Sequence, residues 1–255
     1  MNLQKFLPIL ANCNQGQRLK GVCLGGDYLY NNIFKTKTNK KILVVPNEDF
    51  NSDFGYLKLF DICSTNYYPL VLGGDHSIGT STLLASVKKY GKKLTVIWID
   101  AHADINTYEA SLSKNRHGIP VACATGIDNT WFNNILDLKL DFEQIIYVGI
   151  RDLDEFEKKV LLKYNIKHYT VEQTFNFIET TNDNIHISFD VDSLDPSILD
   201  STGTMADDGM DYNDVKKIIS RSLEIDKLVA LDIVEFNPEL RDVNKSLETM
   251  KKIFL

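Results

Sequence analysis

The sequence has few cysteines, no long apolar run and fewer basic than acidic residues. Its four cysteines, Cys13, Cys23, Cys63 and Cys123, show no CxxC spacing, so neither a disulfide framework nor a cysteine zinc site is indicated. No apolar stretch approaches the length of a membrane span, and the amino terminus lacks the charged start and long apolar core of a secretory signal. We therefore expect a protein of the reducing cytoplasm that does not act at a membrane.

The charge balance argues against nucleic-acid binding. Asp and Glu number 35 against 28 Lys and Arg, which gives a formal net charge of −7 at pH 7. Phosphate backbones are bound by clustered Lys and Arg, and an acidic chain would have to build such a cluster locally. Chemistry on a small molecule is the better expectation.

The composition is that of an ordinary globular protein, and its patterning predicts an α/β fold. Of 255 residues, 44% are hydrophobic and 25% charged, and no shift in composition divides the chain, so we predict one domain over residues 1–255. Short β-branched or aromatic runs alternate with segments of helical period, as in a parallel sheet covered by helices. Strands are predicted at Ile42–Val45, Leu70–Leu72, Leu94–Ile99, Ile145–Gly149, Ile185–Phe189 and Leu228–Val234. Helices are predicted at Thr80–Tyr90, Leu153–Tyr164, Tyr212–Leu223 and Lys245–Phe254, and surface loops at Asn47–Asp53 and Asp200–Asp208.

Four of the predicted strands run directly into polar clusters. These clusters are Gly73–Ser77, Asp100–Asp104, Asp190–Asp192 and Glu235–Pro238. Ligands of open parallel α/β sheets bind outside the carboxyl ends of the strands. We therefore expect all four clusters to converge on one site.

Two of these clusters carry acidic and imidazole side chains at strand spacing. Asp100, His102 and Asp104 alternate along the chain, so their side chains point to one side while the backbone stays extended. Asp190 and Asp192 repeat this pattern after another apolar strand. So many carboxylates at one sheet edge would repel one another unless a cation neutralised them. The pattern therefore predicts a metal site.

The number of ligands indicates two metal ions. Four carboxylates, together with His102 and the strand-terminal His76, exceed what one octahedral ion can use while leaving a position open to water. Two ions bridged by shared carboxylates would use them all. Carboxylate and imidazole without thiolate suit Mn²⁺ better than a structural zinc, although ligand type alone leaves zinc, cobalt, iron and nickel open.

Each motif also has a plain structural explanation. A single DxH or DxD is usually a turn, a helix cap or a solvated loop. Three such clusters, each after an apolar strand, are hard to explain together in that way. His168 and His186 stand in or beside apolar runs without acidic neighbours at strand spacing, and we expect both to be structural.

The three motifs together resemble those of a known enzyme family. Gly-Gly-Asp-His-Ser, Asp-Ala-His-Ala-Asp and Ser-Phe-Asp-Val-Asp-Ser-Leu-Asp-Pro follow the order found in the ureohydrolases, which include arginases, agmatinases and formimidoylglutamases. The resemblance implies a three-layer αβα fold around a mainly parallel sheet, two Mn²⁺ ions per subunit and a homo-oligomer, either a trimer or a hexamer. It assigns one ion to His76, Asp100, Asp104 and Asp190, and the other to His102, Asp100, Asp190 and Asp192.

Other stretches resemble the arginases in particular, whose substrate is L-arginine. The segment from Asp104 to Gly118 resembles their loop for the α-carboxylate of the substrate, which assigns Asn106, Ser113 and Asn115 to that role. A second arginase-like stretch assigns Asp154 to the α-amino group. Agmatine lacks the carboxylate, so retention of these contacts favours arginine as the substrate.

The guanidinium end of the substrate would meet Thr204 and Glu235, which match the arginase residues that flank and receive it, with His102 also among the substrate contacts. Water bridging two divalent ions loses a proton near neutral pH, and the resulting hydroxide would attack the guanidinium carbon. Glu235 would hold the guanidinium by charge-assisted hydrogen bonds. Asp104 would accept the remaining proton, and His117 would carry one to the departing amine, although a loop histidine can also be purely structural. The expected products are urea and L-ornithine.

Two stretches depart from the arginase pattern and keep other functions open. Met205–Gly209 replaces the usual proline and small residues after Thr204, and it adds acid near the expected mouth of the site. Arg116 stands where an apolar residue is expected and would affect the α-carboxylate end. The alternatives are an agmatinase or another guanidino-compound hydrolase, and a catalytically idle regulatory homologue. The idle homologue would be expected to lack metal ligands, and all six are present.

Overall fold

The computed structural model describes residues 3–255, and every strand in this part of the chain belongs to one sheet. The strands are β1 Phe6–Ala11, β2 Leu43–Val45, β3 Tyr68–Gly73, β4 Leu94–Ile99, β5 Ile145–Val148, β6 Lys167–His168, β7 Asn184–Asp190 and β8 Leu228–Val234. Their order across the sheet is β2-β1-β3-β8-β7-β4-β5-β6, and each neighbouring pair is parallel. The prediction of an α/β fold with a mainly parallel sheet is confirmed.

Helices cover both faces of the sheet, which is therefore the middle of three layers. The α-helices are α1 Gly25–Leu29, α2 Asp53–Cys63, α3 Gly79–Tyr90, α4 Pro120–Thr125, α5 Glu155–Lys163, α6 Val171–Thr180, α7 Tyr212–Glu224 and α8 Val243–Phe254. One core contains Trp98 of β4 together with residues of α2, α3, α4 and α5. The other contains Ile97 and Ile99 of β4 together with residues of α1, α6, α7 and α8. Because both faces are buried, the central strands are apolar almost throughout, which is the sequence pattern of a parallel sheet. Within residues 3–255, no helix is both long and apolar enough to cross a membrane.

The predicted strands and helices are present, some with shifted ends. The helix predicted from Leu153 begins two residues later, because Asp154 is the N-cap of α5 and its carboxylate accepts backbone N–H groups of the first turn. Such a residue keeps an extended backbone and cannot itself be helical. The apolar period that indicates a helix therefore does not fix the residue at which it starts.

Six strands and α-helices were not indicated by the sequence pattern, namely β1, β6, α1, α2, α4 and α6. The apolar run of β1 contains Pro8, which cannot donate to a strand ladder, yet β1 lies between β2 and β3. The segment predicted as a surface loop at Asn47–Asp53 is instead a 3₁₀ helix, Asn47–Asn51, followed by the start of α2. Polar residues there serve as a helix cap and first turn, because the residue types that favour loops also favour helix starts.

The second predicted loop is only partly a surface feature. Residues 200–208 have irregular backbone, as expected. However, Ser201 and Thr202 are fully buried. Ser201 donates its hydroxyl to the backbone carbonyl of Leu240, so this segment is tied into the protein next to β8.

Candidate active site

The four polar clusters meet because their strands are neighbours. β3, β8, β7 and β4 lie side by side in the middle of the sheet and run in the same direction. Their carboxyl ends therefore form one edge, as expected. At this edge the backbones of Asp104 (φ 51°) and Glu235 (φ 65°) are left-handed, which is uncommon for residues other than glycine. The surrounding structure must impose this conformation on two carboxylates that were predicted to be catalytic.

A first group of possible metal ligands surrounds the buried ring of His76. Its Nδ1 atom lies 3.1 Å from Asp100 Oδ2, 3.1 Å from Asp190 Oδ2 and 3.2 Å from Asp104 Oδ2, while its Nε2 atom lies 2.9 Å from Ser188 Oγ. Nδ1 has no hydrogen-bond partner within residues 3–255, although a buried polar atom is costly to leave unpaired. The imidazole nitrogen and the carboxylate oxygens thus point towards one position without hydrogen bonding to one another, as the ligands of a metal ion do.

A second group surrounds His102. Its Nδ1 atom lies 3.2 Å from Asp192 Oδ2 and 3.4 Å from Asp100 Oδ1. Asp100 therefore offers one oxygen to each group, as a carboxylate that bridges two ions would. Asp190 belongs to the first group alone, whereas the resemblance assigns it to both ions. Asp104 adjoins the first group through its approach to His76.

Hydrogen bonds hold the carboxylates of both groups in place. Trp98 donates its indole N–H to Asp100 Oδ2 at 2.9 Å. The backbone N–H of Asp192 donates to Asp190 Oδ1 at 2.8 Å, and Thr204 Oγ1 donates to Asp192 Oδ2 at 2.8 Å. Partners of this kind orient metal ligands before an ion binds.

The charges of the two groups favour a cation at their centre. Burial and the neighbouring carboxylates raise the pKa values of Asp190 and Asp192, and they raise the pKa of Asp104 to about 6. Burial lowers the pKa values of His76 and His102, but the surrounding carboxylates outweigh burial and raise both. The negative charge of the carboxylates thus favours protonated imidazoles. Divalent cations would neutralise the same negative charge equally well. The residues present therefore fit a pair of metal ions.

A cavity of about 270 Å³ opens over the two groups. It is lined by His76, His102, Asp104, Asn106, Ser111, Leu112, Ser113, His117, Gly118, Asp154, Glu157, Asp190, Asp192 and Thr204. Two residues that were predicted to contact the substrate are not part of this lining. The backbone N–H of Asn115 donates to Ser113 Oγ at 3.2 Å, and Glu235 lies directly behind the cavity-lining His117, with its Oε1 atom 3.1 Å from His117 Nδ1.

Three residues form a hydrogen-bonded part of the cavity wall. Asn106 donates its amide N–H to Asp154 Oδ2, and Glu157 accepts the backbone N–H of Asp154 at 3.2 Å. Burial, with the charge of Asp104 adding to it, raises the pKa of Glu157 to about 7. Sequence reasoning missed Glu157. The sequence could have indicated it, because Asp154 and Glu157 have the spacing of a capping box at the start of a helix.

Glu235 is buried and surrounded by donors. Its Oε1 atom accepts the backbone N–H of His76 at 2.9 Å and lies 3.1 Å from His117 Nδ1, and its Oε2 atom accepts the amide N–H of Gln17 at 2.6 Å. Burial lowers the pKa of His117, but the carboxylate of Glu235 outweighs burial and raises that pKa to about 9. Sequence reasoning also missed Gln17, because it follows β1 and that strand was not recognised.

The two departures from the arginase pattern lie outside the cavity over the two ligand groups. Arg116 does not line it, and its guanidinium carbon instead lies 4.6 Å from the ring centroid of Trp131. Asp207 and Asp208 are exposed and do not line the cavity either. The acid that the sequence adds after Thr204 therefore does not form the cavity wall.

The two remaining histidines also lie outside the cavity lining. His186 is fully buried, and its Nε2 atom lies 3.0 Å from Asp232 Oδ2 on the neighbouring strand β8. The opposite ring nitrogen lies 3.0 Å from Ser86 Oγ. His168 is exposed on β6 at the edge of the sheet. These positions agree with the structural roles expected for both.

Comparison with known proteins identifies the family. The family model described as the arginase family matches residues 44–255. The chain is 37% identical over 193 residues to an arginase of Bacillus caldovelox, covering 70% of this chain and 64% of the relative. It is 34% identical over 253 residues to an arginase of Plasmodium falciparum, covering 87% of this chain and 60% of the relative.

The chain thus spans about three fifths of the length of these two curated relatives. The crystal structure of Entamoeba histolytica arginase in complex with L-ornithine matches it with a TM-score of 0.86 and 30% sequence identity, over 100% of this chain and 99% of that chain. The same three-layer fold is therefore present in both. From its sequence match and its fold, this chain belongs to the arginase family.

Proposed function

We propose that this protein is an arginase, a hydrolase that splits L-arginine into urea and L-ornithine. The observation that carries the proposal is the pair of ligand groups sharing Asp100, which lie at a cavity whose wall also holds Asn106 and Asp154. The ligand groups suit metal-assisted hydrolysis, and an amide beside a carboxylate suits the two charged groups of an amino acid. Membership of the arginase family and the likeness to an arginase crystallised with L-ornithine support the same reaction.

Two Mn²⁺ ions are the proposed cofactors. The residues that would hold one ion are His76, Asp100, Asp104 and Asp190, and those for the other are His102, Asp100 and Asp192, with Asp190 as a second bridge by resemblance. Bound together, the ions would lower the pKa of water and so provide the nucleophile near neutral pH.

The amino-acid end of the substrate would be bound by the loop and by the start of α5. Asp154 would accept the α-amino group, and the side chains of Asn106, Ser113 and Asn115 would receive the α-carboxylate. Asn106 also donates to Asp154 Oδ2 and so fixes the orientation of that carboxylate. Binding at both groups distinguishes an amino acid from its decarboxylated amine.

Glu235 would receive the guanidinium, with Thr204 and His102 beside it. Both oxygens of Glu235 already have donors, so the substrate must compete with the amide of Gln17 for Oε2. A cationic donor binds a carboxylate more strongly than a neutral amide does, which favours the exchange. The orientation of Glu235 is then set by the backbone N–H of His76, which donates to Oε1.

Two groups would move protons. Burial and the charge of Asp100 raise the pKa of Asp104 to about 6, so this carboxylate can accept a proton from the nucleophile. His117 holds a proton because Glu235 is beside it. Once the guanidinium of the substrate shares Glu235, that stabilisation weakens, and the proton becomes available to the departing amine of ornithine.

A second candidate is an agmatinase or another guanidino-compound hydrolase. It is favoured by the stretch Met205–Gly209, which departs from the arginase pattern and has two exposed aspartates. The hydrogen-bonded pair Asn106 and Asp154 at the cavity argues for an amino acid instead. A catalytically idle regulatory homologue is disfavoured, because five of the six predicted ligands form the two groups and Asp104 adjoins the first of them.

We also propose that the chain acts as one catalytic domain over residues 1–255, in a cytoplasmic homo-oligomer that is a trimer or a hexamer. The common sheet of residues 3–255 supports the single domain. The resemblance to arginases supports the oligomer, and the absence of paired cysteines supports the reducing compartment.

The test is urea release from Mn²⁺-loaded protein, with L-arginine, agmatine and a panel of guanidino acids assayed in parallel. We expect equal amounts of urea and ornithine from L-arginine and little urea from agmatine. Urea from agmatine alone would replace the proposal by the second candidate. No urea from any compound, together with no bound metal, would support the idle homologue.

A further inference from the structure

A second cavity of about 260 Å³ lies on the other side of the turn that carries His117. Arg116 lines this cavity and His117 lines the catalytic one, so consecutive residues of the turn Arg116–Gly118 face different cavities. The two cavities have no lining residue in common. The second cavity is therefore separate from the proposed arginine site.

Arg116 supplies an unpaired cation to this cavity. Its guanidinium carbon lies 4.6 Å from the ring centroid of Trp131. Within residues 3–255, the guanidinium has neither a hydrogen bond nor an ion pair, although the residue is partly buried. A stacked guanidinium keeps its donors available, and their geometry matches a carboxylate. Ser52 and the first turn of the eleven-residue helix α2 line the same cavity, and the positive end of the helix dipole adds to this preference.

Asp53 supplies an anion to the same cavity. Its Oδ1 atom accepts the indole N–H of Trp131 at 3.0 Å, and its other oxygen has no hydrogen-bond or ion-pair partner in the described chain. One indole thus supports both charges, Arg116 on its face and Asp53 at its edge. The two charges form no ion pair with each other within residues 3–255. Opposite charges that line one cavity without pairing are suited to a ligand that carries both.

We propose that the second cavity binds a free α-amino acid, with its carboxylate on Arg116 and the first turn of α2 and its ammonium group on Asp53. The volume suits a small ligand, because sites for drug-sized molecules measure about 300–1,000 Å³. Gln15 also lines this cavity. Its amide donates one N–H to Asn14 Oδ1 at 3.0 Å and has a second N–H that can donate to the carboxylate.

The bound amino acid would lie next to the proposed catalytic groups. The segment after Gln15 contacts them directly: Gly16 O accepts the backbone N–H of His117 at 3.1 Å, and Gln17 donates to Glu235. Gly16 is packed so closely on Asp75 that an added Cβ would lie 2.3 Å from Asp75 Oδ1. The segment that links Gln15 to Glu235 is therefore held in place by close packing.

The experiment is a calorimetric titration of the Mn²⁺-loaded protein with glycine and L-alanine, which have the two charges and no guanidinium. The test variants are Arg116→Leu, which can still pack on Trp131, and Asp53→Asn, which can still accept its indole N–H. The control is Asp154→Asn, which removes the charge from the catalytic cavity and keeps an N-cap residue at the start of α5. Thermal unfolding of each variant verifies that it is folded.

We expect the Kd for glycine to rise about tenfold or more in each test variant, because each loses a charged partner of the ligand. In the control, the Kd should change by less than about twofold. Acetate and methylammonium, which carry one charge each, should bind more weakly than glycine. The proposal is overturned if no amino acid binds, if acetate binds as well as glycine, or if Asp154→Asn abolishes binding while the test variants do not. Because the readout is binding, it is independent of whether L-arginine is hydrolysed.

Discussion

His117 Nδ1 lies 3.1 Å from Glu235 Oε1, the oxygen that also accepts the backbone N–H of His76. The charge of this buried carboxylate keeps a proton on the imidazole, and in return the imidazole lowers the pKa of Glu235 against the effect of burial. A group proposed to bind the substrate and a group proposed to move a proton are thus coupled through one oxygen. Binding of a cation at Glu235 must therefore change the proton affinity of His117.

The first prediction concerns the charge of Glu235. Glu235→Gln should lower kcat/KM for L-arginine by roughly 10- to 100-fold, because a buried charge-assisted hydrogen bond contributes ~1.5–3 kcal/mol. Initial rates of urea release measure this. Glu239→Gln is the matched control, because Glu239 is exposed and only four residues further along the chain. Equal rates in the two variants would exclude Glu235 from guanidinium binding.

The second prediction concerns the carboxylate shared by the two candidate ligand groups. Asp100→Asn should abolish urea release and leave neither Mn²⁺ ion bound after gel filtration, because Asp100 has an oxygen in both ligand groups. Elemental analysis of the purified variant measures the bound metal. Asp208→Asn should keep both ions, since Asp208 is exposed and asparagine tolerates its left-handed backbone. Full metal content in Asp100→Asn would contradict the bridging assignment.

The third prediction is a pH dependence of stability. The pKa of His117 is raised to about 9, above the ~6.5 expected in the unfolded chain, so its pairing with Glu235 stabilises the fold fully below about pH 6.5. This stabilisation, on the order of 3 kcal/mol, should be lost as the pH rises from about 6.5 through 9. Urea denaturation in the presence of a chelator, at several pH values, measures it.

His117→Gln should remove that part of the pH dependence. His168→Gln is the control and should retain it, because His168 is exposed on β6 and has no part in the pair with Glu235. Parallel stability curves for the unaltered protein and His117→Gln would show that His117 does not gain its proton in the folded state.

The fourth prediction concerns the buried pair between two strands. Asp232 Oδ2 accepts the hydroxyl of Thr82 at 2.5 Å and lies 3.0 Å from His186 Nε2, and both members of the pair are fully buried. Asp232→Ala should lower the free energy of unfolding by about 3–5 kcal/mol, because it leaves a buried imidazole without its partner. Asp61→Ala, at an exposed position of α2, should change it by less than about 0.5 kcal/mol. Similar losses in the two variants, measured by denaturant titration, would contradict a structural role for the pair.

The sequence by itself was sufficient for the fold class and for singling out the candidate metal ligands. Residue identity is a local property of the chain, so carboxylates and imidazoles that directly follow apolar strands could be recognised before any contact was known. The extended backbone expected from Asp100 to Asp104 is not observed, because β4 ends at Ile99 and Asp104 has a left-handed backbone (φ 51°). The central strands are buried on both faces and are therefore apolar runs in the sequence, which can be recognised without knowing their neighbours. Carboxylates and imidazoles immediately after such strands left a metal site as the simplest explanation.

Only the tertiary structure decided which residues complete the site. The order β3-β8-β7-β4 joins strands that are far apart in the chain, and it is this order that puts Glu235 beside His76. Gln17 reaches Glu235 across 218 positions of the sequence. Arg116 directly precedes His117 yet faces a different cavity. The packing of separate segments decides which distant residues become neighbours and which way a side chain in a turn points. This packing cannot be inferred from a local sequence pattern.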